Sequence, residues 1–238
     1  MTEVDKRKRN DALISFRIDF TEEQIMARRI CHDSIITILT GKPGTAKTTI
    51  AASVALELIM RRPKPTSEDS RRHNKYDKII ISRPAIPVGK SLGYLPGDMM
   101  DKLNPYITPV LDVMYKLYPK EKVDELMKGE KIEVIPIQFM RGRTFENSII
   151  ILDEGQNADF EDFKVISSRL GRDSKLIVTS DVRQIDLKKK SYSASKIFDL
   201  LLGLEGISMV ELTENFRHPL ALSIMDRIIE YEDDLFPF

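Results

Sequence analysis

One eight-residue stretch, GKPGTAKT at Gly41–Thr48, constrains this chain more than any other. It follows a β-branched apolar run, Ser34–Thr40 (SIITILT), and opens a run rich in Ala, Leu and Ile, Ala46–Met60. Strand, glycine loop, helix is the order in which such a sequence builds a phosphate cradle. The glycines let successive backbone N–H groups turn inward, and the helix N-terminus adds its positive dipole end. Gly41, Lys42, Pro43, Gly44, Thr45, Ala46, Lys47, Thr48 and Thr49 are therefore expected to line a nucleotide's phosphates. Lys47 should reach the β- and γ-phosphates and Thr48 should ligate Mg²⁺. Ala46 stands where the usual motif has its second glycine. The reading asks it to hold a helical φ, because a positive φ is costly once a Cβ is present.

The rest of the chain alternates strands and helices, as a doubly wound parallel sheet with flanking helices requires. Strands are expected at Ser34–Thr40, Lys78–Ser82, Ile132–Phe139, Ser148–Leu152, Lys175–Thr179 and Ser208–Leu212. Helices are expected over Ala46–Met60, Met99–Tyr118 around Pro105 and Pro109, Asp159–Leu170, Ser193–Leu202 and Leu220–Tyr231. Arg61–Asp77 reads as a polar loop. This is an α/β chain, expected to form a single domain over 1–238 with its core at about 20–232.

Composition removes several function classes. Lys+Arg and Asp+Glu both count 37, so no overall charge argues for nucleic acid. A single cysteine, Cys31, excludes an intramolecular disulfide and a cysteine metal site, and reads as a buried thiol. The three histidines lack metal-ligand spacing. No apolar run reaches the roughly 18 residues of a membrane helix. The charged start, MTEVDKRKRND, is unlike a signal peptide, so a cytoplasmic location is expected.

A second chemical signal is SIIILDEGQN at Ser148–Asn157. In open α/β sheets, ligands sit beyond the carboxyl ends of strands, which is where Asp153 falls. It is expected to hold Mg²⁺ through water, with Glu154 as general base or water-orienting group. An acid after a strand can also be a plain helix cap, but the phosphate loop upstream favours the catalytic pair. NKYD at Asn74–Asp77 spells a guanine-specificity motif. It precedes a strand and lies upstream of Asp153, the reverse of the GTPase order, so it reads as a solvated loop.

Other motifs add resemblances. FTEEQIMA (Phe20–Ala27) places Gln24 ahead of the phosphate loop, similar to the glutamine with which superfamily 1 helicases read adenine. VTSDVRQID (Val178–Asp186) is similar to that superfamily's GDxxQ motif with Ser180 in place of glycine, which implies that Gln184 senses the γ-phosphate. LTENFRHP (Leu212–Pro219) resembles its LxxNYR motif, which implies an arginine finger at Arg217.

Together with SRPAIPVGKSLGYLPGD (Ser82–Asp98), NPY (Asn104–Tyr106), FMRGRTFENSIIILDEGQN (Phe139–Asn157) and SDVRQIDL (Ser180–Leu187), these motifs resemble the PhoH family of ATPases from about Gln24 to His218. The resemblance implies a fold like the ATPase core of superfamily 1 helicases and Mg²⁺-dependent ATP hydrolysis. It also implies a homo-oligomer, plausibly a hexameric ring. Some larger members carry a PIN-type ribonuclease domain, for which this chain is expected to be too short. Gly155 stands where members often have alanine, with little effect expected.

RNA or single-stranded DNA is the leading expected partner. Arg83, Lys90, Arg141 and Arg143 are the candidate phosphate contacts, and Tyr94 or Phe139 the candidate stacking residues. The alternative is a nucleotide-dependent switch or scaffold acting on a protein. A small-molecule phosphotransferase is disfavoured by Glu154.

Overall fold

The computed structural model describes residues 16–60, 76–84, 99–181 and 194–235. In chain order the elements are α1 (Glu22–Asp33), β1 (Ile36–Gly41), α2 (Lys47–Met60), β2 (Lys78–Ser82), α3 (Met99–Leu117), α4 (Lys120–Lys128), β3 (Ile132–Val134), β4 (Ser148–Leu152), α5 (Phe160–Ser167), β5 (Lys175–Ser180), α6 (Ala194–Leu201), β6 (Ile207–Leu212) and α7 (Pro219–Leu235). The six strands form one sheet in the order β3-β2-β4-β5-β1-β6, and every pair is parallel.

The central strands carry continuous apolar runs because both faces of the sheet are covered. Along β2, Ile79 and Ile81 face one core and Ile80 the other; along β4, Ile149 and Ile151 face the first, Ile150 and Leu152 the second. The first core takes Ala27 of α1, most of α2, and Val110, Met114 and Leu117 of α3. The second takes Phe163 and Ile166 of α5 with Ile197 and Phe198 of α6. Cys31 is fully buried in the first core, as expected, and burial lifts its thiol to about 11. Among the described residues no helix is long and apolar enough to cross a membrane.

Several expectations need correction. The strand expected over Ile132–Phe139 stops at Val134. Pro136, which has no N–H to extend the ladder, instead leads a short 3₁₀ turn over Ile137–Met140. The first strand starts at Ile36, because Ser34 ends α1 and its Oγ donates to Ser208 Oγ at 2.7 Å. Helix α4 was not anticipated; only Val123 of it is buried, too sparse a pattern for periodicity to register. In NKYD, Asn74 and Lys75 lie outside the described residues, and Tyr76 packs into the first core rather than into solvent. Lys90, Tyr94 and Gln184 also lie outside the described residues.

Candidate nucleotide-binding and catalytic site

The carboxyl ends of β1, β2, β4, β5 and β6 lie along one edge of the sheet, and the polar residues of the chain's motifs collect there. The loop leaving β1 turns through Gly44 (φ 89°), where a Cβ would fall 2.7 Å from Arg217 Cγ and 2.8 Å from Asn215 Oδ1. Glycine is therefore required by space as well as by backbone angle. Thr45 is buried, and its hydroxyl donates to Lys42 O at 2.9 Å. Ala46 departs from the expected helical φ: it sits at +66°, in the left-handed region. The alternation of backbone conformation that points successive N–H groups inward outweighs the Cβ penalty. The Ala46 carbonyl still accepts the first helical bond, from Ile50 N at 2.9 Å.

Lys47 opens α2 and folds its ammonium back onto the loop, donating to Gly41 O at 2.6 Å and Lys42 O at 2.9 Å. Its pKa is lowered, first by burial. The carboxylates of Asp181, Glu154 and Asp153 act to raise it, and the Arg217 guanidinium to lower it. Those opposing effects place three acids and a second cation within the field of one ammonium. Thr48 donates its hydroxyl to Asp153 Oδ1 at 2.9 Å. Thr179, at the end of β5, donates to the same oxygen at 2.7 Å. Asp153 is buried. Thr49 is half-buried on the first turn of α2, and Lys42 pairs with Asp226 of α7 at 2.9 Å.

Glu154 has a left-handed backbone (φ 55°) that turns its side chain sharply out of the β4 line. Both carboxylate oxygens are held, Oε1 by Arg83 Nη2 at 3.2 Å and Oε2 by Gln156 Nε2 at 2.5 Å. Gln156 Oε1 in turn accepts from Asp181 N at 2.9 Å. The side chains of Ser82 and Ser180, the last residues of β2 and β5, have buried hydroxyls with no hydrogen-bond partner among the described residues. Gly155 is tighter than expected: a Cβ there would meet Val178 Cγ1 at 2.5 Å, so alanine requires Val178 to move.

The segment after β6 clamps the loop from outside. Asn215 Nδ2 donates to Pro43 O at 2.8 Å, and Phe216 N donates to Gly44 O at 3.1 Å. Arg217 lies against Gly44 of its own chain. Among the described residues its guanidinium meets Met225 Sδ at 3.3 Å and pairs with no carboxylate. Glu23 ties this segment to α1, accepting from Thr213 N, Thr213 Oγ1 and Glu214 N at 2.9, 2.7 and 3.1 Å. Gln24 is buried, and its Oε1 accepts from Thr21 N at 3.1 Å to close a capping box. Reading an adenine edge as both donor and acceptor asks that oxygen to carry a second bond.

Thr48, Asp153, Lys47, Glu154 and Arg217 thus converge, whereas the described nucleic-acid candidates differ in their contacts. Arg83 sits beside Glu154. Arg143 is paired with Glu133 through both terminal nitrogens, at 2.8 and 3.1 Å, and stacks on Phe145. Arg141 is exposed, and Phe139 is 50% exposed. Sequence reading missed Thr179, Gln156, Asn215 and Glu23. All four lie inside stretches already singled out, Gln156 in SIIILDEGQN, Asn215 in LTENFRHP, Thr179 in VTSDVRQID and Glu23 in FTEEQIMA, but their partners come from other elements.

The family model described as PhoH-like protein matches residues 19–229. The chain belongs to the PhoH-like family. Among its relatives, a PhoH-like protein of Synechocystis is 35% identical over 87% of this chain and 60% of its own length. One of Bacillus subtilis is 38% identical over 78% of this chain and 56% of its own. The Escherichia coli protein PhoH is 34% identical over 71% and 45%. The chain spans roughly half of the length of these PhoH-like relatives. Distant likenesses among solved structures include a Pif1 helicase from Bacteroides in complex with ADP-AlF3 and ssDNA, at TM-score 0.43 and 16% identity over 90% of this chain and 47% of that one. The Hef helicase domain of Pyrococcus furiosus aligns at TM-score 0.46 and 15% identity, over 79% of this chain and 37% of that one.

Proposed function

We propose that this PhoH-like chain binds ATP with Mg²⁺ and hydrolyses it to ADP and phosphate. The observation that carries the reading is the meeting of Thr48 and Thr179 on one oxygen of buried Asp153, beside a Lys47 ammonium that rests on two loop carbonyls. The Thr48 hydroxyl and the Asp153 carboxylate are hard oxygens of the kind Mg²⁺ takes, few enough to leave room for waters and phosphate oxygens. When bound, the ion neutralises charge on the β- and γ-phosphates. Lys47 is the group that would exchange its carbonyl contacts for phosphate oxygens. Glu154, turned toward the Lys47 field and fixed at both oxygens, is the water-orienting carboxylate.

Arg217 is the candidate γ-phosphate cation, and its place over Gly44 favours action within its own subunit. Arg217→Ala should lower turnover by about 10³-fold if it acts as a full arginine finger. Mixing that variant with a Lys47→Ala protein tests the alternative, since rescue of activity in mixed assemblies demands a finger acting between subunits.

We further propose that hydrolysis is coupled to binding or remodelling of RNA or single-stranded DNA by an oligomer, a hexameric ring. Exposed Arg141 and Phe139 support a single-strand contact, pairing a cation with a stacking platform. The exposed apolar stripe Leu220, Ile224, Ile228 and Tyr231 along α7 supports assembly with further copies. The test is steady-state ATP hydrolysis with and without single-stranded RNA and DNA, on protein of measured oligomeric state. Stimulation by one strand type supports the coupling. Turnover indifferent to both, with no binding at low salt, removes the nucleic-acid reading and leaves a protein-directed switch.

A further inference from the structure

We propose that Arg83 is a positioning residue for the Glu154 carboxylate and not a contact to nucleic acid; this rests on the water-orienting role of Glu154 given above. The placement follows from strand pairing. Strands β2 and β4 are neighbours in register, Ser82 opposite Leu152, and Asp153 N continues the ladder by donating to Ser82 O at 2.9 Å. The residues just past the two strands, Arg83 and Glu154, are thereby brought side by side from positions far apart in sequence.

The geometry is that of a clamp. Glu154 Oε1 receives Arg83 Nη2 at 3.2 Å, while Oε2 receives Gln156 Nε2 at 2.5 Å. A carboxylate gripped on both oxygens by donors from two different elements has little rotational freedom left. Gln156 is itself fixed by Asp181 N at 2.9 Å, at the end of β5. The Arg83 side chain is 20% exposed and its Nε is buried without a hydrogen-bond partner among the described residues. A cation meant for a nucleic-acid backbone would present its guanidinium to solvent; this one is tucked beneath a carboxylate. Orientation of a water-activating group is worth large rate factors, because a misplaced acceptor cannot meet the attacking water in line. Lysine can supply the charge at this position but not the planar fork of a guanidinium.

The test compares kcat and KM for Mg²⁺-ATP in Arg83→Met, which keeps the apolar stem, Arg83→Lys, Glu154→Gln and the Arg83→Met/Glu154→Gln double variant. Binding of a non-hydrolysable ATP analogue and of a labelled single-stranded oligonucleotide is measured on the same proteins, and analogue binding confirms that each variant is folded. Arg83→Met should lower kcat about tenfold or more. KM, analogue binding and oligonucleotide affinity should stay within about twofold. Arg83→Lys should recover part of the loss. In the Glu154→Gln background, Arg83→Met should change the residual rate by less than about twofold, since its only route of action is gone.

Losses that multiply in the double variant would overturn the proposal, as would oligonucleotide affinity lost with kcat intact. Normal turnover in Arg83→Met, beside lost turnover in Glu154→Gln, sinks the Arg83 proposal alone. Normal turnover in Glu154→Gln sinks the water-orienting role on which it stands.

Discussion

Two lysines at opposite ends of the sheet make the same kind of contact to different effect. Lys175 opens β5 at the amino edge, is 2% exposed, and donates to the carbonyls of His32 and Ser34 where α1 ends. It supplies donors to carbonyls at the C-terminal end of α1. Lys47 opens α2 at the carboxyl edge and also rests on two carbonyls, but it faces Asp181, Glu154 and Asp153 as well.

The surroundings differ in the same way. At the amino edge, Glu57 takes Arg28 at 2.6 Å and His32 at 3.2 Å, and the Arg28 guanidinium lies over the rings of Phe16 and Phe20. Arg28 Nε there is buried without a hydrogen-bond partner among the described residues, and the Thr37 hydroxyl lies against the Cys31 thiol. At the carboxyl edge, the Ser82 and Ser180 hydroxyls and Arg83 Nε are buried without hydrogen-bond partners among the described residues, and Ala46 and Glu154 hold positive φ. Positive φ alone does not divide the two edges, since Glu130, Asn147 and Asp173 hold it just before β3, β4 and β5; at the carboxyl edge it falls inside the phosphate-loop and carboxylate motifs.

Exchanging the two lysines for alanine breaks the comparison most sharply. Lys47→Ala should reduce ATP turnover by about 10²–10³-fold or more while leaving the melting temperature near the parent value. Lys175→Ala should cost about 2–4 kcal/mol of stability, with the kcat of folded protein kept. Thermal unfolding beside steady-state kinetics checks both.

The carboxylates give the next contrast. Glu154→Gln should lower turnover by about 10²-fold or more without loss of ATP binding. Glu57→Gln should destabilise by about 2 kcal/mol, because it weakens a largely buried pair, and leave kcat unchanged. A Glu57→Gln enzyme that folds normally but turns over slowly would erase the division between the two edges.

Glu23 sharpens the comparison through pH. Burial acts to raise its pKa, but the hydrogen bonds from Thr213 and Glu214 outweigh that and leave it below 4.5. A carboxylate lowered on folding adds stability above its unfolded pKa and loses that stability as pH falls through the folded value. The stability gap between parent and Glu23→Gln should therefore be full at neutral pH and shrink below about pH 4.5 in denaturant titrations. A gap that widens on acidification contradicts the assignment.

The smallest expected effect is a gain. Ala46→Gly relieves a left-handed φ of 66° and should raise the melting temperature by about 2–4 °C, a change on the order of 1 kcal/mol for a chain this long.

The parts legible in the sequence are those whose chemistry is local. The β1–loop–α2 unit and the β4–Asp153–Glu154 end each carry strand pattern and functional residue in one short run. Ala46 misled because a residue before a helix suggests helical φ, while the inward turn of the loop's N–H groups demands the opposite. The pairing of Arg83 with Glu154 is supplied by the β2–β4 register, which no local pattern encodes. The partners of Asp153 and Glu23 on β5 and beyond β6 were hidden for the same reason. Pro136 held a readable stop signal for β3 that the apolar run around it obscured.

The proposed function has the carboxyl edge of this sheet hydrolysing ATP through Glu154. The direct measurement is phosphate release from ATP by the parent and Glu154→Gln proteins, with and without Mg²⁺, beside ATP binding by both. The account predicts Mg²⁺-dependent release by the parent, and ATP bound but not turned over by Glu154→Gln. Equal release by the two proteins, or no ATP bound by either, would contradict it.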